Sequence, residues 1–145
     1  MTAKSDFTPE EWKLVLEGPP SAALLVIMAQ RGGTFRETFA IGKTYAEARS
    51  HHGDSELLDE IVAAKPEVDH TRYHSTDELR AHVTKTLGDA VALLGAKATP
   101  QELTDYQGFV TGLAERVGQA HSEGGADPVS PAEHEAIEAI RGALG

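Results

Sequence analysis

Hydrophobic positions along this chain recur at helical spacing. Leu79, Val83, Leu87, Ala90, Val91 and Leu94 form one stripe at intervals of three and four, and Leu103, Tyr106, Val110, Leu113 and Val117 form a second. Leu57, Leu58, Ile61 and Val62 mark a shorter buried face, and Ile137, Ile140 and Leu144 an apolar edge near the carboxyl end. Ala22 to Ala29 is apolar all round, the pattern of a helix surrounded by others. No run of β-branched residues alternates with period two between turn signals. The chain is therefore expected to be all-α, a bundle of six to seven helices around a central buried one.

Polar punctuation agrees with this periodicity. Seven positions read Ser or Thr followed three residues later by Glu or Gln, and five stand where a polar break gives way to an apolar stripe: Thr8/Glu11, Thr34/Glu37, Ser75/Glu78, Thr99/Glu102 and Ser130/Glu133. In such a capping box the hydroxyl accepts from a first-turn N–H and the carboxylate accepts from the cap residue's own N–H. Pro9, Pro100 and Pro131 follow three of these caps at the first helical position. Thr44 and Thr104 match the same pattern inside longer helical runs and are read as coincidences. Phe7 is placed to pack on Trp12 as a hydrophobic staple. Gly18 is expected to stop the first helix, with Pro19 and Pro20 opening the central one, and further stops are expected at Gly32-Gly33, Gly53 and Gly95. Gly108 and Gly112, four apart in the sixth expected helix, suggest close approach of a neighbouring backbone. Residues 66–74, PEVDHTRYH, carry no usable apolar period and read as a surface connector. One domain spanning 1–145 is expected, with helical halves 8–65 and 75–145.

Composition narrows the partners. A chain of 145 residues suits one domain. Its net charge of −10, with 13 dispersed Lys and Arg, argues against nucleic-acid or anionic-membrane surfaces and leaves proteins or cations as partners. The absence of cysteine removes disulfides, thiolate metal sites and thiol nucleophiles. Met1 to Phe7 lacks the apolar core of a signal peptide, and the longest apolar run has eight residues against the ~20 of a membrane span, so a cytoplasmic location is expected.

Two corners share a pattern. Gly32-Gly33 runs into Thr34-x-x-Glu37-x-x-Ala40-Ile41, and Gly124-Gly125 leads after four residues into Ser130-x-x-Glu133-x-x-Ala136-Ile137. Two related helical hairpins about a pseudo-twofold axis would give this repeat, as would any two well-capped corners. Through Glu123-Gly124-Gly125, Val129 to Glu133 and Ile137, and more loosely Gly32 to Glu37, the chain resembles the tellurite-resistance TerB family and similar bacterial helical proteins. The resemblance implies an all-helical two-repeat bundle, divalent-cation binding at corner carboxylates, and a supporting role in stress-response complexes rather than catalysis. Arg31 precedes the first glycine pair where the family has an acid, and Ala126-Asp127-Pro128 is inserted in the second.

Candidate chemistry is sparse. Glu123, Asp127 and Glu133 are the densest carboxylates around one loop and the candidate ligands of a divalent cation such as calcium, which needs several oxygens at about 2.3–2.6 Å. Capping already accounts for Glu133 and turn preference for Asp127. His70 and His74, beside Asp69 and Asp77, have the spacing of zinc ligands on a helix but fall in the connector. His51-His52 suits a helix carboxyl end. Glu67-x-x-His70 is the only match to the di-iron bundle motif, and phosphate loops and the serine nucleophile elbow are missing. No catalytic residue and no organic cofactor are expected. The acidic helix starts Glu10/Glu11, Asp77/Glu78 and Glu133/Glu135 offset helix dipoles and also offer a face to a basic partner. The leading expectation is a non-catalytic helical module acting through protein contacts, and the second is a divalent-cation binder.

Overall fold

The computed structural model describes residues 4–29, 35–50, 56–64, 75–122 and 131–145. Over these residues the chain is a bundle of six helices with no strand: α1 (Pro9–Ala29), α2 (Phe35–Ser50), α3 (Glu56–Ala63), α4 (Thr76–Lys97), α5 (Pro100–Ser122) and α6 (Pro131–Leu144). A 3-10 turn at Lys4–Asp6 precedes them. Central helix α1 packs on α4, α5 and α6, while α2 lies chiefly against α5 and only lightly on α1. The helices that follow the two expected Gly-Gly corners, α2 and α6, lie against α5 and against α4 and α1 respectively. The corners themselves, and the 66–74 connector, lie outside the described residues.

Two capping boxes form in full, at Thr8/Glu11 and Thr99/Glu102. Thr8 N–H donates to Glu11 Oε1 (2.8 Å) and Glu11 N–H to Thr8 Oγ1 (3.1 Å), and Thr99 and Glu102 make the same pair of bonds at 3.0 and 3.1 Å. Ser75 is the extended N-cap of α4, its Oγ accepting from Glu78 N–H. Phe7 packs on Trp12 with ring centroids 5.6 Å apart, completing the staple. Thr44 and Thr104 sit inside helices, donating to the carbonyls of Ala40 and Pro100. Thr34 and Ser130 lie outside the described residues, as does the side chain of Glu133.

Three expectations are corrected. First, Gly18 does not end a helix: α1 runs unbroken through Gly18-Pro19-Pro20. Proline in a helix interior removes an N–H and crowds the carbonyl four residues back, at a cost of about 3 kcal/mol. Here the Val15 carbonyl, which Pro19 leaves without its backbone donor, accepts from the Tyr106 hydroxyl of α5 at 2.9 Å. Gly18 makes room for that hydroxyl, since a Cβ there would stand 2.2 Å from Tyr106 Oη and 3.2 Å from Leu87 Cδ2. Every residue from Gly18 to Ile27 is buried, so the helix is also the conformation that pairs the remaining backbone groups away from water. Second, Gly95 lies within α4, which continues to Lys97. The stop comes from Ala98, extended at φ −99°, and Thr99, held out of helical space by Pro100. Third, Gly108 and Gly112 meet no close neighbour among the described residues: a Cβ at either would find none of them within 4 Å.

The apolar stripes otherwise form one core. Val15, Leu25, Ile27, Ile41, Tyr45, Leu57, Ile61, Leu79, Val83, Leu87, Leu94, Tyr106, Val110, Leu113 and Ile140 are all nearly or wholly inaccessible, while Met28, Leu58, Val91 and Leu103 are half-buried around them. By length and composition α1 is apolar enough to cross a membrane, but its apolar stretch is the centre of this core. Burying a large apolar side chain is worth about 1.5–3 kcal/mol, so α1 organises the bundle.

Candidate functional site

Polar side chains that enter the bundle do so at helix seams. Between α1 and α4, His82 Nε2 lies 2.9 Å from Glu17 Oε1 and 3.3 Å from the hydroxyl of buried Thr86, one turn further along α4. His82 and Glu17 keep 29% and 24% of their side chains exposed, enough for solvent to reach the pair. An imidazole between a carboxylate and a hydroxyl invites comparison with a nucleophile–base–orienter relay. Such a relay uses both ring nitrogens, one toward the orienting carboxylate and the other toward the hydroxyl. Here Glu17 and Thr86 meet the same nitrogen, Nε2, and the three groups tie α1 to α4.

Other seams carry similar ties. Lys97, in the last turn of α4, donates to Glu11 Oε1 (2.7 Å) and the Asp6 carbonyl (3.2 Å) and lies 5.7 Å from the centre of the Phe7 ring. The Lys97 ammonium, with the Thr8 N–H, holds the Glu11 carboxyl below its ordinary value. Arg49 of α2 donates through Nε to the Val62 carbonyl in the last turn of α3 (2.6 Å), a cation at a helix carboxyl end. Arg116 of α5 pairs with Glu47 of α2, and Arg141 of α6 pairs with Glu115 of α5 and, within α6, with Glu138. Gln107 donates to the Leu144 carbonyl at 2.7 Å. Tyr45 and Tyr106 are buried, and desolvation raises both phenols far above their ordinary range. Arg80 Nε is a buried nitrogen without a hydrogen-bond partner among the described residues.

The candidate cation ligands are only bracketed by the described residues. Glu123 and Asp127 lie outside them, between the end of α5 at Ser122 and the start of α6 at Pro131, and Glu133 falls in the first turn of α6 without a described side chain. His51, His52, His70 and His74 lie outside as well. Among the described residues no group of three or more His, Asp or Glu is arranged to hold a metal ion. Of the acidic helix starts, Glu10, Asp77, Glu78 and Glu135 are exposed, while Glu11 is drawn into its box and onto Lys97.

Sequence reasoning missed Glu17, His82 and Thr86. The four-residue spacing of His82 and Thr86 beside the Leu79 stripe was a visible signal. Glu17 was not, because it stands next to the supposed end of a helix. Comparison of the chain with protein-family models, with curated proteins and with solved structures finds no match.

Proposed function

We propose that this protein is a non-catalytic helical module of the cytoplasm that works through contacts with other proteins, in the manner of the TerB-like proteins its second corner resembles. The observation that supports this most is that polar contacts within the bundle, Glu17 and Thr86 on His82 Nε2 among them, tie helix to helix. Ion pairs and carbonyl contacts at the other seams likewise tie helix to helix. The net charge of −10 and the exposed Glu10, Asp77 and Glu135 favour a partner with a basic surface. Mild crosslinking and recovery of the native protein from its own cells tests the reading. A stoichiometric protein partner, released as salt rises from about 0.05 to 0.5 M, is expected. Recovery of the protein alone at native abundance, together with turnover of a small molecule, would count against it.

A divalent-cation binder is the second reading. Its support is that the helices flanking Glu123, Asp127 and Glu133 in sequence, α5 and α6, are tied to each other by Arg141–Glu115 and Gln107–Leu144. A cation that binds only the folded state raises the melting temperature, by RT ln(1 + [L]/Kd) in free energy. Millimolar calcium, magnesium or manganese should therefore raise Tm in the parent and not in a Glu123→Gln/Asp127→Asn variant. An unchanged parent melting curve removes this reading.

A further inference from the structure

Gly18-Pro19-Pro20 breaks the hydrogen-bond ladder of α1 without breaking the helix. Two consecutive prolines have no N–H, so the carbonyls of Val15 and Leu16 lose the backbone donors an ordinary helix would give them. Mechanical continuity between the two halves of α1 is thereby weakened at its midpoint. The halves also differ in surroundings. Residues 18–27 are buried without exception, whereas of residues 10–17 only Trp12 and Val15 are buried, with Glu10 and Lys13 exposed and Glu11, Leu14, Leu16 and Glu17 half-buried. The amino-terminal half further carries its own local order in the Thr8–Glu11 box and the Phe7–Trp12 staple.

We propose that Gly18-Pro19-Pro20 is a hinge in the central helix and the Tyr106 hydroxyl its latch, so that residues 4–17 open from the bundle as one unit while Ala22–Ile27 stays packed. The latch is the bond from Tyr106 Oη to the Val15 carbonyl, made from α5 across 91 residues of sequence. Glycine at 18 is what lets the phenol reach it. Lys97 on Glu11 and His82 on Glu17 fasten the same segment to α4 at its two ends, through partly exposed pairs that water can replace. The phenol is different, because on opening it and the Val15 carbonyl must part in the interior. Local openings of this kind have free energies well below that of global unfolding, and amide hydrogen exchange resolves them segment by segment.

Hydrogen exchange on the full chain tests the proposal. In the parent, amides of residues 10–17 should exchange at least tenfold faster than those of 22–27, after correction for intrinsic rates, with a shallower denaturant dependence. Tyr106→Phe should speed the exchange of 10–17 about five- to twentyfold. Pro19→Ala returns an N–H to the Val15 carbonyl, and in that background the effect of Tyr106→Phe should fall below about twofold, a coupling that a phenol acting only as packing would not produce. If residues 10–17 and 22–27 share one rate and one denaturant slope in the parent, α1 is a single cooperative unit and there is no hinge. If Tyr106→Phe leaves residues 10–17 unchanged, the phenol is not the latch.

Discussion

Gly18 and Gly108 put opposite demands on the same residue type. A Cβ at Gly18 would overlap the Tyr106 hydroxyl, so Gly18→Ala must push the phenol off the Val15 carbonyl and leave both polar groups buried without each other. Overpacking and a lost buried bond each cost about 1–3 kcal/mol, against about 1 kcal/mol gained in helix propensity. A net loss is expected, read as a lower denaturant midpoint. Gly108 is exposed and a Cβ there meets none of the described residues, so Gly108→Ala should raise stability by about 0.5–1 kcal/mol in the same melt. Arg80→Met removes a buried N–H that finds no acceptor among the described residues while keeping an aliphatic stem of similar length. It should be neutral or stabilising by up to about 2 kcal/mol, where an arginine engaged in a buried ion pair would lose stability. None of the three outcomes is legible in the sequence, because both glycines carry the same local signal and only their tertiary neighbours differ.

At the level of elements the sequence was far more readable. Caps and staples act within a few residues, so Thr8, Ser75 and Thr99 announce helix starts with no knowledge of the rest of the chain. The boundaries that escaped, at Gly18 and Gly95, are places where a strong local rule is overridden by packing or by the proline that follows. Leu25 lies in the fully enclosed part of α1, and Leu25→Ala should cost about 2–5 kcal/mol, a loss of transferred surface plus an unfilled cavity. Chemical denaturation measures it, and a near-neutral result would mean that the segment is not enclosed. The start of α1 also has a pH signature. The Glu11 carboxyl titrates below its ordinary 4.5 because Lys97 and the Thr8 N–H favour the charged form. A depressed folded pKa stabilises above the unfolded value, and the benefit is lost as pH falls through the folded one. Glu11→Gln keeps the box geometry without the charge. The stability difference between parent and variant should then hold steady from pH 7 to about 5 and shrink below pH 4.5. A difference that persists unchanged into the acid range would show that the charge contributes nothing.

For the whole molecule, apolar periodicity foretold the class of fold and the enclosure of its central helix, because those depend on which faces need covering. It did not foretell which helix covers which. The contact of α2 with α5, the clamp on His82 and the tie of Arg49 to α3 all depend on residues far apart in the chain and unremarkable one at a time. The same holds for the proline pair inside α1, which reads as a break until Tyr106 is brought beside it. That dependence constrains how the chain can diverge. Positions 15 to 19 and position 106 form one heritable unit: a lineage that exchanges Tyr106 for phenylalanine gains by first losing Pro19, and one that enlarges Gly18 has no further use for the phenol. Descendants of a common ancestor should therefore carry the glycine, the proline and the tyrosine together or replace them together, and this linked inheritance across the width of the bundle would identify distant relatives that overall resemblance no longer reveals.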